Sequence, residues 1–169
     1  LFTARTVDGK RTLETVTGVR TGDSAGSIVV LSHRDSLGSP AAADLSGTAV
    51  MLELARVLAG GTPHRTIVLI STSGSAGLAG ASEVARSIRG PVDAVIALGD
   101  LAGLRAHQPV LVPWSSGPLL APPLLRNTLA ASLAAQTGLR PGATSLGGQV
   151  AHLAFPLSLS EQAPFGSRG

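Results

Sequence analysis

The sequence predicts a three-layer α/β/α domain with a mostly parallel central sheet and a β-hairpin at its N-terminus. Short apolar segments typical of strands alternate with longer segments of helical periodicity along most of the chain. The strand segments are nearly continuous runs of Val, Ile and Leu, as expected for parallel strands covered on both faces. Aromatic residues make up only 2% of the chain, so the core must be aliphatic.

The first predicted elements are a hairpin and a strand. Alternating Thr and Val positions in residues 2–20 flank Asp8-Gly9, a favoured two-residue turn because both positions tolerate positive φ. A continuous apolar strand follows at residues 27–33, and a loop rich in Gly, Pro and Ala occupies residues 37–43.

Helical spacing begins after this loop, at residues 45–59, and Gly60-Gly61 is the predicted stop. One face of that helix is predicted to carry Val50, Leu54, Val57 and Leu58. Strands and helices then alternate to the end of the chain. The predicted elements are strands at 66–72, 92–98, 109–112 and 150–157, and helices at 78–88 and at 124–136, the latter capped by Gly138.

Composition excludes several classes of function. The 13 basic residues give a net charge of +3 but are scattered, without the basic stripe or stacking aromatics of a nucleic-acid interface. No apolar run reaches the roughly 18 to 20 residues of a membrane helix, so this segment is not expected to span a bilayer. The chain contains no cysteine and therefore has neither disulfides nor thiolate chemistry.

Acidic and histidine residues follow the predicted strands, where ligands bind in open α/β sheets. His33 and Asp35 close the strand at 27–33, Asp44 precedes the helix that follows, and Asp100 comes after the strand at 92–98. Imidazole and carboxylate groups are common zinc ligands. The strand ends therefore carry candidate metal ligands.

The segments Ser32-His33-Arg34-Asp35-Ser36 and Asp44-Leu45-Ser46-Gly47 resemble the di-zinc aminopeptidase and carboxypeptidase family. That family includes bacterial leucyl aminopeptidases, glutamate carboxypeptidase and the transferrin receptor ectodomain. The resemblance runs from about Ile28 to Gly169 and implies a zinc-aminopeptidase-like fold. It also implies that His33 is a zinc ligand oriented by Asp35, that Asp44 bridges two zincs, and that Asp100 completes the first zinc site.

Two departures from the family pattern affect the chemistry. The family's Gly-Glu-Glu is replaced by Ser73-Gly74-Ser75-Ala76-Gly77, so the general base and one ligand of the second zinc fall at Gly74 and Ser75. In the late motif Glu161-Gln162-Ala163-Pro164-Phe165, Gln162 stands where the resemblance places the second zinc's histidine. A general base alone contributes roughly 10²- to 10⁴-fold to catalysis.

We therefore expect a non-catalytic zinc-aminopeptidase-like domain with a structural or binding role. Residues 1–169 are interpreted as one domain excised from a longer protein, with a membrane-anchored parent as one option. No cofactor is expected, and His33, Asp44 and Asp100 are vestigial candidates for zinc. A peptide or protein is the expected kind of partner, and analogy with the transferrin receptor suggests an extracytoplasmic position. A carboxylate reaching the cleft from Glu161 to act as a base would overturn this interpretation.

Other interpretations remain open. Asp44 could simply cap its helix, Asp100 could begin a turn, and His33 with Asp35 could be a hydrogen-bonded pair at a strand end. The alternative enzymes are an aminopeptidase with a reduced mono-zinc site and a serine hydrolase. The latter would use Ser75 as nucleophile, with Asp100 and His152 as its acid and base.

Overall fold

The computed structural model describes residues 1–6, 9–35, 45–73, 77–102, 107–117, 120–142, 144–154 and 161–166 of the chain. Its strands are β1 (Phe2–Thr6), β2 (Gly9–Leu13), β3 (Val16–Arg20), β4 (Ser27–His33), β5 (Thr66–Thr72) and β6 (Val92–Ala97). Its helices are α1 (Ser46–Val57), α2 (Ala79–Ser87), α3 (Pro123–Thr137) and α4 (Leu146–Ala154), followed by a 3₁₀ turn at Ala163–Phe165.

A mostly parallel sheet forms the centre of the molecule, which confirms the predicted fold class. The described strands are ordered β3-β5-β4-β6, with β4 parallel to both of its neighbours. Strands β1 and β2 form the predicted antiparallel hairpin as a separate two-stranded sheet. Strand β3, predicted as part of that hairpin, instead joins the central sheet antiparallel to β5.

Helices cover both faces of the sheet because successive side chains of β4 point in opposite directions. Val29 and Leu31 are buried on the face that packs against α2. On the other face lies α1, whose Thr48 hydroxyl donates a hydrogen bond to the backbone carbonyl of His33. The largest group of buried apolar residues belongs to the α2 face and consists of Val29, Leu31, Ile70, Ala81, Val84, Ala85 and Phe165.

Helix α1 begins against the end of β6, and this close approach requires glycine. A Cβ atom on Gly47 would lie 2.6 Å from the carbonyl oxygen of Leu98 and 2.7 Å from that of Gly99. The buried face of α1 therefore follows Gly47 and includes Met51. The predicted apolar face was wrong in part, since Val50 and Val57 are 45% and 60% exposed.

Helices α3 and α4 are packed more loosely. No residue of α3 is buried, and Gly138 ends that helix with a left-handed φ of 71°, as predicted. The strand predicted at 150–157 was wrong, because residues up to Ala154 form α4 and residues 155–160 lie outside the described part. The Ser145 hydroxyl accepts a hydrogen bond from the Gly148 N–H at 3.1 Å and so caps the N-terminus of α4. This cap was not predicted, because the apolar residues that follow were interpreted as a strand.

The segment predicted as a strand at 109–112 forms only one isolated bridge, between Val110 and Gly142. Pro109 and Pro113 bracket the segment, and a proline has no N–H to donate to a ladder. Within the described residues, no helix has the length and apolar character needed to cross a membrane.

Candidate functional site

Strands β4 and β5 end side by side and bring polar side chains to the carboxyl edge of the sheet. His33 is paired in register with Thr72, the last residue of β5. The chain continues in parallel past both strands, since the N–H of Arg34 donates to the carbonyl of Thr72 at 3.0 Å. The next polar side chains, Asp35 and Ser73, therefore also lie at this edge.

Glu161 reaches these side chains from the other end of the chain. The Thr72 hydroxyl donates a hydrogen bond to Glu161 Oε1, and Glu161 Oε2 lies 3.7 Å from His33 Nδ1. The side chains of His33 and Glu161 are only 19% and 12% exposed. Glu161 therefore supplies a carboxylate beside the imidazole. A contact between Glu161 and His33 was not predicted from the sequence. We call His33, Asp35, Thr72, Ser73 and Glu161 the histidine cluster.

The second carboxylate of the cluster is also engaged. Ser73 Oγ donates a hydrogen bond to Asp35 Oδ2 at 2.6 Å, within the range of strong O–H···O⁻ bonds. The resemblance implies that Asp35 orients His33; in the structure, its carboxylate accepts the hydroxyl of Ser73. This bond ties the residues after β4 to those after β5.

The electrostatics of Glu161 are dominated by burial. Removal from water raises the pKa of Glu161 above its ordinary value of 4.5, and the Thr72 hydroxyl and His33 only partly oppose this. Its Oε2 atom is shielded from solvent and has no hydrogen-bond partner among the described residues. At 3.7 Å, the contact with His33 is electrostatic and too long for a hydrogen bond. The carboxyl group is therefore held inside the protein and away from water.

Asp100 and Gln162 line a cavity that none of the residues of the histidine cluster lines. The backbone after β6 is held by Ser46, whose Oγ accepts the N–H groups of Leu101 at 2.7 Å and Ala102 at 3.2 Å. This leaves Asp100 exposed. Asp100 and Gln162 line a cavity of about 650 Å³ beside β6.

The predicted three-ligand zinc site remains a prediction. Asp44, Gly74 and Ser75 lie outside the described residues. Among the residues that the structure does describe, no three Asp, Glu or His side chains are grouped so that they could hold a metal ion. A di-zinc centre does not fit the donor set, because residues 73–77 carry no carboxylate and Gln162 offers only an amide.

The hydrogen bonds of Thr72 and Ser73, and the pairing of Glu161 with Thr72, were not predicted from the sequence. Thr72 and Ser73 follow an apolar strand, and a fully buried threonine at such a point signals a specific hydrogen-bond partner. Glu161 is the first carboxylate in the sequence after Asp100. That isolation was the available signal for Glu161, but it does not identify the partner.

Comparisons with known proteins agree with the fold. The family model for peptidase family M28 matches residues 15–135. No curated protein shows significant similarity to the chain. Glutaminyl cyclase from an Acidobacteriales bacterium superimposes with a TM-score of 0.72 at 18% identity, over 99% of this chain and 59% of that one. LapA from Legionella pneumophila gives 0.66 at 21% identity, over 91% of this chain and 46% of LapA. The chain thus spans about half the length of these structures, and at such identities the likeness shows the fold alone.

Proposed function

Because the chain belongs to peptidase family M28, we propose that it is a non-catalytic member with a structural or binding role in a larger protein. The observation that carries the proposal is the state of Glu161, whose carboxylate lies 3.7 Å from His33 Nδ1. Its Oε1 accepts the Thr72 hydroxyl and its Oε2 is shielded from solvent, so we infer that it does not replace the lost glutamate base.

A general base must reach the proton that it removes, directly or through one water. Oε1 of Glu161 accepts the hydroxyl of Thr72, and Oε2 is shielded from solvent. Glu161 is therefore placed as an internal anchor for residues 161–166, and it does not supply the missing base.

Loss of the second metal supports the same proposal. In two-metal hydrolases the pair of cations stabilises both the attacking and the leaving oxygen. Here the residues standing for the second zinc's donors are an amide at Gln162 and the Gly74-Ser75 pair. This donor set does not support the pair of cations.

One observation favours a second candidate, a metal-dependent aminopeptidase with a single zinc. His33 and Glu161 bring an imidazole and a carboxylate within 3.7 Å, two donor types that zinc accepts. A third donor would have to come from Asp44 or Asp100. The serine hydrolase alternative has less support, because His152 stacks on Trp114 and has no hydrogen bond to Asp100.

Zinc binding and peptidase turnover test the proposal together. Protein stripped with a chelator is titrated with Zn²⁺ in a calorimeter and assayed with leucine p-nitroanilide with and without the metal. We expect no stoichiometric binding and no turnover above that of buffer. Stoichiometric zinc with turnover that disappears in His33→Ala would overturn the proposal and establish the mono-zinc enzyme.

A matched control and a restoration variant make this experiment decisive. His64 is 75% exposed and contacts Asp23, so His64→Ala removes a more accessible imidazole without touching the cleft. Weak binding lost in His64→Ala is adventitious and leaves the proposal standing. The double variant Ser75→Glu with Gln162→His returns two donors, and zinc binding gained only there would show that their loss is what disables the site.

The role in a larger protein is tested separately. By analogy with the transferrin receptor, we propose an extracytoplasmic position for the domain. A topology reporter fused to the full-length gene product should report the outer side of the membrane. A cytoplasmic signal would reject that placement without affecting the proposal about the histidine cluster.

A further inference from the structure

A cavity that none of the residues of the histidine cluster lines has the composition of a small-molecule site. It has a volume of about 450 Å³, within the range of roughly 300 to 1,000 Å³ typical of ligand pockets. The segment around Trp114 forms one wall, and helices α3 and α4 form the others. We call it the Trp114 cavity, and its walls include Trp114, Leu120, Arg126, Asn127, Gln149 and His152.

His152 is a buried polar group that lacks a partner. It is 7% exposed and stacks face to face on Trp114, with ring centroids 4.8 Å apart and planes inclined by 13°. Neither ring nitrogen has a hydrogen-bond partner among the described residues. A buried group left unpaired costs about 1–3 kcal/mol, so native proteins seldom retain one without a reason. An imidazole in the wall of a cavity can be satisfied by whatever occupies the cavity.

Arg126 is the charged side chain among the described residues that line the Trp114 cavity, and no Asp or Glu lines it. Residues 101–160 contain three arginines, Arg105, Arg126 and Arg140, and not a single Asp or Glu. Arg126 is exposed at the start of α3, lines the cavity, and forms no ion pair with a described carboxylate. A guanidinium in that position is free to bind a carboxylate through two parallel hydrogen bonds.

We propose that the Trp114 cavity binds a small organic monocarboxylic acid with an aromatic or aliphatic body. The carboxylate pairs with Arg126, and the body packs against Trp114 and the apolar wall formed by Leu120. An oxygen of the ligand hydrogen-bonds to His152, which has both a donor and an acceptor nitrogen when neutral. This inference does not depend on whether the histidine cluster is catalytic.

Fluorescence gives a direct test, because Trp114 is the chain's only tryptophan and lies in the wall of this cavity. The probes are phenylacetate and its neutral isostere phenylacetamide. We expect a saturable change in emission with phenylacetate and binding at least about tenfold weaker for the amide, since a charge-assisted hydrogen bond is lost.

Two matched arginine variants assign the charge. Arg126 and Arg140 are both exposed, so neither Arg126→Gln nor Arg140→Gln removes a packed side chain, and circular dichroism checks that both remain folded. Arg126→Gln should weaken phenylacetate about tenfold and leave phenylacetamide unchanged. Arg140 does not line the cavity, so Arg140→Gln should bind both probes as the parent does.

Three results would overturn the proposal. These are the absence of a saturable change with phenylacetate, equal affinity for the acid and the amide, and an equal effect of the two arginine variants. A thermal shift assay provides a second readout, because a ligand that binds only the native state raises the melting temperature. An unchanged melting temperature with phenylacetate counts against the site in the same way.

Discussion

The sheet region and the helical region of this molecule differ in how many of their side chains are buried. In the sheet region, residues 16–97, Leu31 and Val29 are 0% and 1% exposed and form the centre of the core. In the helical region, residues 107–154, α3 buries no residue and α4 buries only His152. Leucines that would be core residues elsewhere are left in solvent there; Leu146 and Leu153 are both 81% exposed.

The two regions also differ in how far their buried polar groups are paired by hydrogen bonds. At the edge of the sheet, Thr72 and Ser73 each donate a hydrogen bond to a carboxylate, although Glu161 Oε2 is buried there without a described partner. In the helical region, His152 is buried with both ring nitrogens unpaired in the described residues. The buried polar groups at the edge of the sheet are thus partly paired with each other, whereas His152 in the wall of the Trp114 cavity has unmet hydrogen-bonding capacity among the described residues.

The largest expected effect tests where stability resides. Leu31→Ala should lower the free energy of unfolding by about 2–5 kcal/mol, because it empties a fully packed position in the core. The same truncation at Leu153, which is 81% exposed, should change it by less than about 0.5 kcal/mol. Urea denaturation followed by far-UV circular dichroism measures both. Equal losses would show that α4 is packed as tightly as the sheet, and would break the comparison.

A substitution at Gly47 tests whether stability depends on the close packing of α1 against the end of β6. Gly47→Ala places a methyl group 2.6 Å from a backbone oxygen of Leu98, so the helix or the segment after β6 must move. We expect a loss of about 1–3 kcal/mol in the free energy of unfolding.

Gly60→Ala is the matched control for this substitution. Nothing lies within 4 Å of its added Cβ, and its φ is not left-handed. That variant should be neutral, or more stable by up to about 1 kcal/mol, in the same urea titration. A loss at Gly60 as large as that at Gly47 would mean that the cost comes from the backbone and not from the contact.

The burial of Glu161 predicts a stability that falls as pH rises. Its pKa in the folded state is raised above 4.5, so the native state holds a proton that the unfolded state releases between these two pKa values. The stabilisation is complete below pH 4.5 and is lost as pH rises through the pKa of the folded state. Glu161→Gln cannot titrate, so its stability should lack this fall when the two are compared by urea denaturation across pH.

Glu53 supplies a control of opposite sign. The Arg56 guanidinium lowers the pKa of this exposed carboxylate, so its contribution is present above pH 4.5 and lost as pH falls. Glu53→Gln should therefore alter the pH profile only on the acid side, and weakly, because the pair lies in solvent. A parent profile with no fall above pH 4.5 relative to Glu161→Gln would mean that Glu161 is not buried as described.

The sequence predicted most of the sheet region because its signals are local. The apolar strand at 27–33 and the strand at 66–72 were placed to the residue, and the family was recognised from motifs at the end of the first strand and at the start of the helix that follows it. The contact between Thr72 and Glu161 joins residues 89 positions apart, and no local pattern records such a pairing. The helical region was predicted less well, since the apolar residues of α4 are mostly exposed and their spacing was interpreted as a buried strand.

The smallest expected effect on stability concerns His152, the buried residue of α4 in the helical region. His152→Phe keeps an aromatic ring stacked on Trp114 and removes two buried nitrogens that have no described partner. Replacing an unpaired polar group with an apolar group of similar shape is close to neutral or slightly stabilising. We therefore expect the urea midpoint to stay the same or rise, whereas Thr72→Val, which removes a paired hydroxyl, should lower it. A clear loss of stability in His152→Phe would show that the imidazole nitrogens are satisfied in solution.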